Sequence, residues 1–194
     1  MKDVKIFMQK REVSKVLVLG SSGVVGHGIS SNLVEHNFNV IGTSHKKKLN
    51  CKSKKFLNYH NVNFNKTNSI QKIKKIIKDH GIQAIINCAI LHPNKSFNFK
   101  KSQIYNVNYK MVLKILNLSL KNNLQFFINL GGHSLKEKLK EKNLSKIQKL
   151  YFHTKYIVEK KILSIKTPKT RVISLNIIAP YGFILDETSV VPKF

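Results

Sequence analysis

Cysteine, acidic residues and long apolar runs are all scarce in this chain of 194 residues. Its two cysteines, Cys51 and Cys88, are too few for a disulfide framework or for a structural zinc site of their own. No apolar run approaches the length of about 18 residues that a membrane-spanning helix needs, and residues 1–15 lack the apolar stretch of a signal peptide. We therefore expect a cytoplasmic protein without membrane contact, and no histidine spacing in it predicts a metal site.

The few acidic residues leave the chain strongly basic. Only 9 of them oppose 35 lysines and arginines, so the formal net charge is +26, and all but Arg11 and Arg171 of the basic residues are lysines. Two explanations stay open: AT-rich coding bias that loads lysine onto solvated faces, and a real anionic partner such as nucleic acid. Because such a charge attracts polyanions without selectivity, we expect no specific nucleic-acid partner.

Enough apolar sequence is present to build a core, since hydrophobic residues make up 42% of the chain. Apolar runs of strand length alternate with longer amphipathic segments, which predicts an α/β protein of the Rossmann type, with a doubly wound parallel sheet and helices on both faces. The predicted strands cover 16–20, 39–44, 60–65, 82–90, 124–132 and 171–178, and the predicted helices cover 24–37, 69–81, 102–123 and 146–165.

Glycines mark the turn between the first predicted strand and the first predicted helix, in the sequence GSSGVVG at 20–26. Glycine at such a turn lets the backbone approach a pyrophosphate, whose charge is stabilised by the positive end of the following helix. An incidental glycine-rich turn is the alternative. We expect a dinucleotide to bind at this turn, at Gly20, Ser22, Gly23, Val24, Val25 and Gly26.

The residues that follow the second predicted strand indicate which dinucleotide would bind. Ser44, His45 and Lys46 begin a basic run there, and the run contains no acidic residue. An acidic side chain at this point would accept hydrogen bonds from the ribose of NAD, whereas a basic one would suit the additional phosphate of NADP. The sequence therefore favours NADP(H) over NAD(H).

Tyr151 and Lys155 are four residues apart on a predicted helix and so share one of its faces. A nearby ammonium group lowers the pKa of a phenol, which is typical of a tyrosine that acts as a general acid or base. The same spacing recurs at Tyr156 and Lys160, as expected by chance in a lysine-rich chain. The surrounding sequence YFHTK, with Glu159 after it, favours the first pair.

Five landmarks in this order resemble the extended short-chain dehydrogenase/reductase family, the group of NAD-dependent epimerases and dehydratases that act mostly on nucleotide sugars. They are GSSGVVG at 20–26, NCA at 87–89, NV at 106–107, YFHTK at 151–155 and PYG at 180–182. The resemblance implies that Tyr151 is the acid/base for the substrate hydroxyl and that Lys155 also holds the nicotinamide ribose. It further implies that Asn106 belongs to the catalytic set and that Cys88 and Ala89 line the cofactor.

The chain departs from this family's pattern at several positions. The fifth predicted strand ends in glycines at 131–132, where the family usually places a serine or threonine that is bonded to the reacting oxygen. Ser134 or His133 could replace that hydroxyl only if the loop shifts. Asn176 stands where an arginine often precedes PYG, and Asn63 stands near the adenine in place of an aspartate. The acidic pair of the sugar dehydratases is missing after the fifth strand, which argues against dehydration.

The family's pattern continues beyond PYG into a substrate-binding region, whereas this sequence ends at Phe194. We therefore expect a basic N-terminal extension at 1–14, an NAD(P)-binding domain at 15–185, and the start of a missing substrate-binding region at 186–194. The surface on which that region would pack is a candidate for homodimer formation or aggregation.

The expected function is that of an NAD(P)-dependent epimerase or reductase acting on a nucleotide sugar by hydride transfer. In this hypothesis Tyr151 moves the hydroxyl proton, with Lys155, Asn106 and Ser134 completing the catalytic set. A non-catalytic or degenerate dinucleotide-binding protein is the first alternative, because glycine stands at the hydroxyl position. A protein that binds polyanions through its lysines is the second.

Overall fold

Six strands are described by the computed structural model, which covers residues 13–45, 58–93 and 99–177. They are β1 (Lys15–Leu19), β2 (Asn39–Ser44), β3 (Asn58–Asn61), β4 (Ala84–Asn87), β5 (Phe126–Gly132) and β6 (Arg171–Ile177). They form one sheet in the order β3-β2-β1-β4-β5-β6, and every neighbouring pair is parallel. Because the order runs outward from β1 in both directions, the predicted doubly wound Rossmann-type sheet is confirmed.

Helices connect the strands. They are α1 (Val24–Glu35), α2 (Ser69–His80), α3 (Lys101–Tyr105), a π-helical segment (Asn106–Met111), α4 (Val112–Lys121), α5 (Leu135–Lys138) and α6 (Lys146–Leu163). The isoleucine stripe predicted for α2 is buried at Ile73, Ile76 and Ile77. Gly81 ends that helix in the left-handed conformation, at φ 60°, as glycine does at many helix ends.

The core lies on both faces of the sheet. Successive residues of a strand point to opposite faces, so Val16 and Val18 of β1 join one apolar cluster while Leu17 and Leu19 join the other. All four side chains are fully buried. Burial on both faces explains why residues 16–19 of this strand are all apolar. Because β1 lies in the middle of the strand order, its carboxyl end lies near the centre of the edge at which the parallel strands end.

The bounds of two predicted strands differ most from those in the structure. The third was predicted at 60–65 but is β3 at 58–61, and the fourth was predicted at 82–90 but ends at Asn87. Beyond β3, Val62 and Phe64 are buried as part of a loop, in which the Val62 N–H donates to the Ser44 carbonyl oxygen. The alternation of apolar residues there reflects burial of the loop and not strand pairing.

The predicted long helix at 102–123 forms, but with a π-helical segment between α3 and α4. Within the part of the chain that the structure describes, no helix is long and apolar enough to cross a membrane. Several predictions lie outside the described residues: residues 1–12 of the extension predicted at 1–14, Lys46, Cys51, PYG at 180–182 and the region predicted to begin at 186–194.

Candidate functional site

The glycine turn leaves β1 with its backbone packed against two other segments. Gly20 has φ 74°, and a Cβ there would lie 2.8 Å from Ala89 Cα, in the loop after β4. A Cβ at Gly26, in the first turn of α1, would overlap the Gly20 carbonyl oxygen and lie 2.8 Å from its carbonyl carbon. Glycine is therefore required at both positions by the packing of the turn.

The third glycine of the turn has a different role. A Cβ at Gly23 would meet only the Gly20 carbonyl oxygen, at 3.5 Å, so the space would admit a side chain. Gly23 is the N-cap of α1 and offers no side-chain oxygen to the first helical turn, in which Val24 and Val25 lie. The first N–H groups of a helix have no acceptor inside the helix and favour an anion, which is how this turn would hold a phosphate.

Two serines tie the glycine turn to the end of β2. The Ser21 N–H and hydroxyl both donate to the Thr43 carbonyl oxygen, at 2.9 and 3.1 Å. The Ser22 hydroxyl donates to the Ser44 hydroxyl at 2.6 Å. Ser44 is buried and His45 beside it is exposed. The structure therefore brings together Ser22 and Ser44, two of the residues predicted to bind the cofactor.

The end of β4 lies beside the same turn. The Cys88 N–H donates to the Leu19 carbonyl oxygen, and Ala89 packs against Gly20. Burial raises the pKa of the Cys88 thiol to about 12, so the thiol stays protonated and is not a nucleophile. Asn63 lies in the loop after β3, where its side-chain oxygen accepts from the Asn65 N–H at 2.9 Å.

The tyrosine and lysine are presented by α6, which begins with a reciprocal capping box between Ser145 and Gln148. Tyr151 is buried, and the Lys155 ammonium lies 5.5 Å from the centroid of its ring. The same ammonium donates to the carbonyl oxygen of Gly131 in β5, at 3.1 Å. The predicted pair is thus brought together and anchored to the end of the sheet.

The charge states of this pair differ from the sequence-based expectation. An ammonium neighbour was expected to lower the pKa of the phenol, but burial raises the pKa of Tyr151 to about 12. Burial lowers the pKa of Lys155 to about 8, against the opposing effect of the Glu159 carboxylate. At neutral pH the phenol is therefore protonated and the lysine is mostly charged.

Three asparagines and Lys155 line a small cavity at the ends of β4 and β5. The cavity has a volume of about 20 Å³, which is room for a water molecule. Asn87 donates to the Asn129 side-chain oxygen at 2.8 Å, and both side chains are buried. Asn108, from the π-helical segment, is the third. No carboxylate is among the described residues that line this cavity.

Of the two asparagines in the sequence NVN, Asn108 reaches this cavity and Asn106 does not. The Asn106 amide donates to the Phe64 carbonyl oxygen at 2.8 Å and so holds the loop after β3. The geometry favours Asn108 over the predicted Asn106 as the asparagine of the site. A helical reading of 102–123 could not find it, because the π-helical segment changes the direction in which the side chains point.

At the end of β5, Gly132 faces the lysine. A Cβ built there would lie 3.6 Å from the Lys155 Nζ and 3.0 Å from Leu135 Cδ2. Ser134 lies two residues further on, in the left-handed conformation at φ 51°, where it begins α5. It makes no hydrogen bond to Tyr151 or Lys155, all three being described residues, and His133 is exposed. The predicted substitution of Ser134 for the missing hydroxyl is therefore not made in this arrangement.

Two further residues, Asn176 and His92, contact side chains of α6. The Asn176 amide of β6 donates to the Glu159 carboxylate at 2.8 Å, so this asparagine orients an acid of α6. His92, in the loop after β4, packs edge to face on Tyr151 with 4.9 Å between ring centroids. Nothing in the spacing of His92 from other titratable residues could have indicated this contact, since it depends on the loop's path.

Comparison with known proteins agrees with this architecture. The model of the NAD dependent epimerase/dehydratase family matches residues 16–194. No curated protein sequence matches the chain significantly.

Solved structures that are similar to the chain share its fold at low sequence identity. A short-chain dehydrogenase from Leptospira borgpetersenii with bound NAD+ has a TM-score of 0.68 and 15% identity, over 91% of this chain and 75% of that one. The ADP-L-glycero-D-manno-heptose-6-epimerase of Helicobacter pylori has a TM-score of 0.64 and 15% identity, over 85% and 55%. The UDP-glucose 4-epimerase of Thermotoga maritima, solved with UDP-glucose, has a TM-score of 0.62 and 16% identity, over 77% of this chain and 50% of that one. The chain thus spans about half the length of these two epimerases.

Proposed function

Since the chain belongs to the NAD-dependent epimerase/dehydratase family, we propose that it binds NADP(H) and acts as an epimerase or reductase on a nucleotide sugar. The observation that carries this proposal is the position of Ala89. It packs against Gly20 of the glycine turn and also lines the cavity that contains Lys155. A dinucleotide held by the turn would therefore extend towards the Tyr151–Lys155 pair.

The glycine turn fits a dinucleotide because it is a cradle that a Cβ at Gly20 or Gly26 would fill with a clash. The turn and the first N–H groups of α1 would hold the pyrophosphate, and Ser22 and Ser44 would lie against the adenosine ribose. When bound, the nicotinamide supplies the acceptance or donation of a hydride.

The chain's own part in the reaction is to move a proton. Because the pKa of Tyr151 is about 12, the phenol is protonated at neutral pH and can donate its proton to the oxygen of a carbonyl that is being reduced. The Lys155 ammonium, 5.5 Å from the Tyr151 ring centroid, then stabilises the phenolate that is left. We propose this direction, from ketone to alcohol, as the one that the resting charge states favour.

Nucleotide sugars are the proposed substrate class because they combine a pyrophosphate with an oxidisable sugar carbon. The net charge of +26 would attract such a dianion over a distance. Two similar structures are nucleotide-sugar epimerases by their names, and one was solved with UDP-glucose.

The cofactor preference is tested by titrating the protein with NADPH and NADH by isothermal calorimetry, together with Ser44→Asp. We expect wild type to bind NADPH at least about tenfold more tightly, which is about 1.4 kcal/mol. In Ser44→Asp the carboxylate repels the additional phosphate and accepts from ribose hydroxyls, so the preference reverses. Ser44→Ala, which removes the hydroxyl that Ser22 binds without adding a charge, is the control. Tighter NADH binding by wild type contradicts the preference, and no binding of either at millimolar concentration contradicts the whole proposal.

A dinucleotide-binding protein without catalytic activity is the second candidate, and Gly132 is the observation that favours it. Gly132 offers no side-chain hydroxyl to a substrate oxygen near Lys155. The NADPH titration does not separate the two candidates, because both bind the cofactor. Only turnover separates them.

Replacing Gly132 by serine should raise turnover by about tenfold or more. Removing one hydrogen-bond donor from a reacting oxygen lowers the rate by about 10² to 10³, and this range is the upper limit for the gain from adding one. The new Cβ needs Leu135 Cδ2, at 3.0 Å, to move slightly, which this side-chain end can do. Gly132→Ala carries the same Cβ without the hydroxyl and should not increase the rate. Steady-state kinetics with NADPH will show this, and equal rates for the two variants would show that position 132 does not face the reacting oxygen.

A further inference from the structure

The loop after β4 carries an imidazole to the ring of Tyr151. His92 and Tyr151 pack edge to face, with 4.9 Å between ring centroids and an angle of 74° between their planes. His92 is otherwise exposed to solvent, whereas Tyr151 is 7% exposed. The imidazole therefore covers a buried ring on one side and is open to protons from water on the other.

The path of this loop is set by the asparagine of the cavity. The Leu91 N–H donates to the Asn108 side-chain oxygen at 2.8 Å, and the Asn108 amide donates back to the Leu91 carbonyl oxygen at 3.0 Å. Asn108 is itself buried in the π-helical segment. Two hydrogen bonds thus fix the residue directly before His92, and the contact between the imidazole and Tyr151 is built into the fold.

From these contacts we infer that His92 is a positioning residue for Tyr151, which holds the phenol ring by edge-to-face packing and couples its state to pH through the charge of the imidazole. The inference rests on the proposed function, in which Tyr151 moves the proton. Gly132 supplies no side chain that could orient the phenol from the strand side, so the described ring contacts of Tyr151 come from its neighbour Phe152 on α6 and from His92 on the loop side.

The charge of the imidazole is governed by the residues it faces. Partial burial and then the Lys155 ammonium lower the pKa of His92 from its ordinary value of 6.5, so the ring is neutral at pH 7. Lys155 and Tyr151, both of α6, are the titratable groups that face it among the described residues. Acidification places a second cation beside Lys155, and repulsion between the two changes the surroundings of the phenol.

The lowered pKa of His92 also determines how the stability of the fold changes with pH. Because the pKa of His92 is lower in the folded chain, the unfolded chain binds more protons just below pH 6.5. The free energy of unfolding therefore falls as the pH drops from 6.5 through the folded pKa of His92. The pKa of His60 is also lowered, by its burial and by His80, so only the difference between wild type and a His92 variant isolates the effect.

The test follows Tyr151 directly, by NMR of protein labelled with ¹³C at tyrosine Cζ, with the signal assigned by its loss in Tyr151→Phe. In wild type we expect the Tyr151 signal to shift with an inflection below pH 6.5. In His92→Phe, which keeps a ring on Tyr151 without an ionisable nitrogen, the signal should not shift between pH 5 and 6.5, a range in which Lys155 stays charged. His153→Phe is the matched control, because His153 is exposed on the same helix, and it should keep the inflection.

A second variant separates packing from charge. In His92→Ala the phenol gains water, so we expect the pKa of Tyr151 to fall from about 12 towards its ordinary value of 10. A wild-type signal without an inflection below pH 6.5, or an inflection below pH 6.5 that persists in His92→Phe, overturns the coupling. An unchanged pKa in His92→Ala overturns the packing role. NADPH titration of the same samples keeps the two proposals apart: an inflection in a protein that binds no NADPH contradicts the proposed function and not the coupling.

Discussion

The Gly26→Ala variant should lose at least about 100-fold in affinity for NADPH, or about 2.7 kcal/mol. The added methyl group would overlap the Gly20 carbonyl oxygen and lie 3.0 Å from Ser21 Cα. All of these atoms belong to the backbone, so no side chain can rotate away to make room. The turn would have to move off α1, and the N–H groups that are proposed to hold the pyrophosphate would move with it.

The same displacement should destabilise the fold, by about 1 to 3 kcal/mol as in other overpacked sites. Urea unfolding followed by circular dichroism measures this, and calorimetry measures the affinity. Gly28→Ala is the matched control in the same helix, because a Cβ at Gly28 meets nothing within 4 Å. It should stabilise the protein by about 0.5 to 1 kcal/mol and leave the NADPH affinity unchanged. If both variants bind NADPH as wild type does, the turn does not carry the cofactor.

The contrast between Gly26 and Gly28 also shows what the sequence could predict. The spacing of glycines between a strand and a helix identifies a close-packed turn, because few other structures need glycine at that point. The strand β1 was predicted to within one residue at each end, since its continuous apolar run between polar boundaries arises mainly from burial on both faces. Neither inference required knowledge of distant contacts.

The parts that sequence reasoning missed depend on such contacts. Val62 and Phe64 have the alternation of a strand, but they are buried in a loop whose partner is the end of β2. Asn106 and Asn108 are two residues apart, and only the π-helical geometry decides which of them faces Lys155. The raised pKa of Tyr151 likewise comes from tertiary burial, which a spacing of four residues does not report.

The second large effect concerns Tyr151→Phe, which should lower turnover by about 10³-fold, within the range of 10² to 10⁴ that a positioned acid or base contributes. Such a loss corresponds to about 4 kcal/mol of barrier. The variant keeps the ring that packs against His92, so the fold and the NADPH affinity should be unchanged. The first probe is a UDP-4-keto sugar, whose reduction consumes NADPH and is followed by the loss of NADPH absorbance. UDP-glucose with NADP+ tests epimerisation, by chromatography of the sugar nucleotide.

Tyr156→Phe is the control for this measurement, because Tyr156 repeats the spacing to a lysine, Lys160, whose side chain is exposed. It should retain full turnover, whereas equal losses in both variants would contradict a specific role for Tyr151.

The pH profile adds an independent check on the same pair. Lys155 has a pKa of about 8, so its positive charge is lost as the pH rises through that value, and the phenolate loses its stabilising partner. The rate of carbonyl reduction should therefore fall above pH 8 while Tyr151, with a pKa of about 12, is still protonated. A rate that rises through pH 8 would mean that a deprotonated group acts as a base, and the proton would then move in the opposite direction to the one proposed.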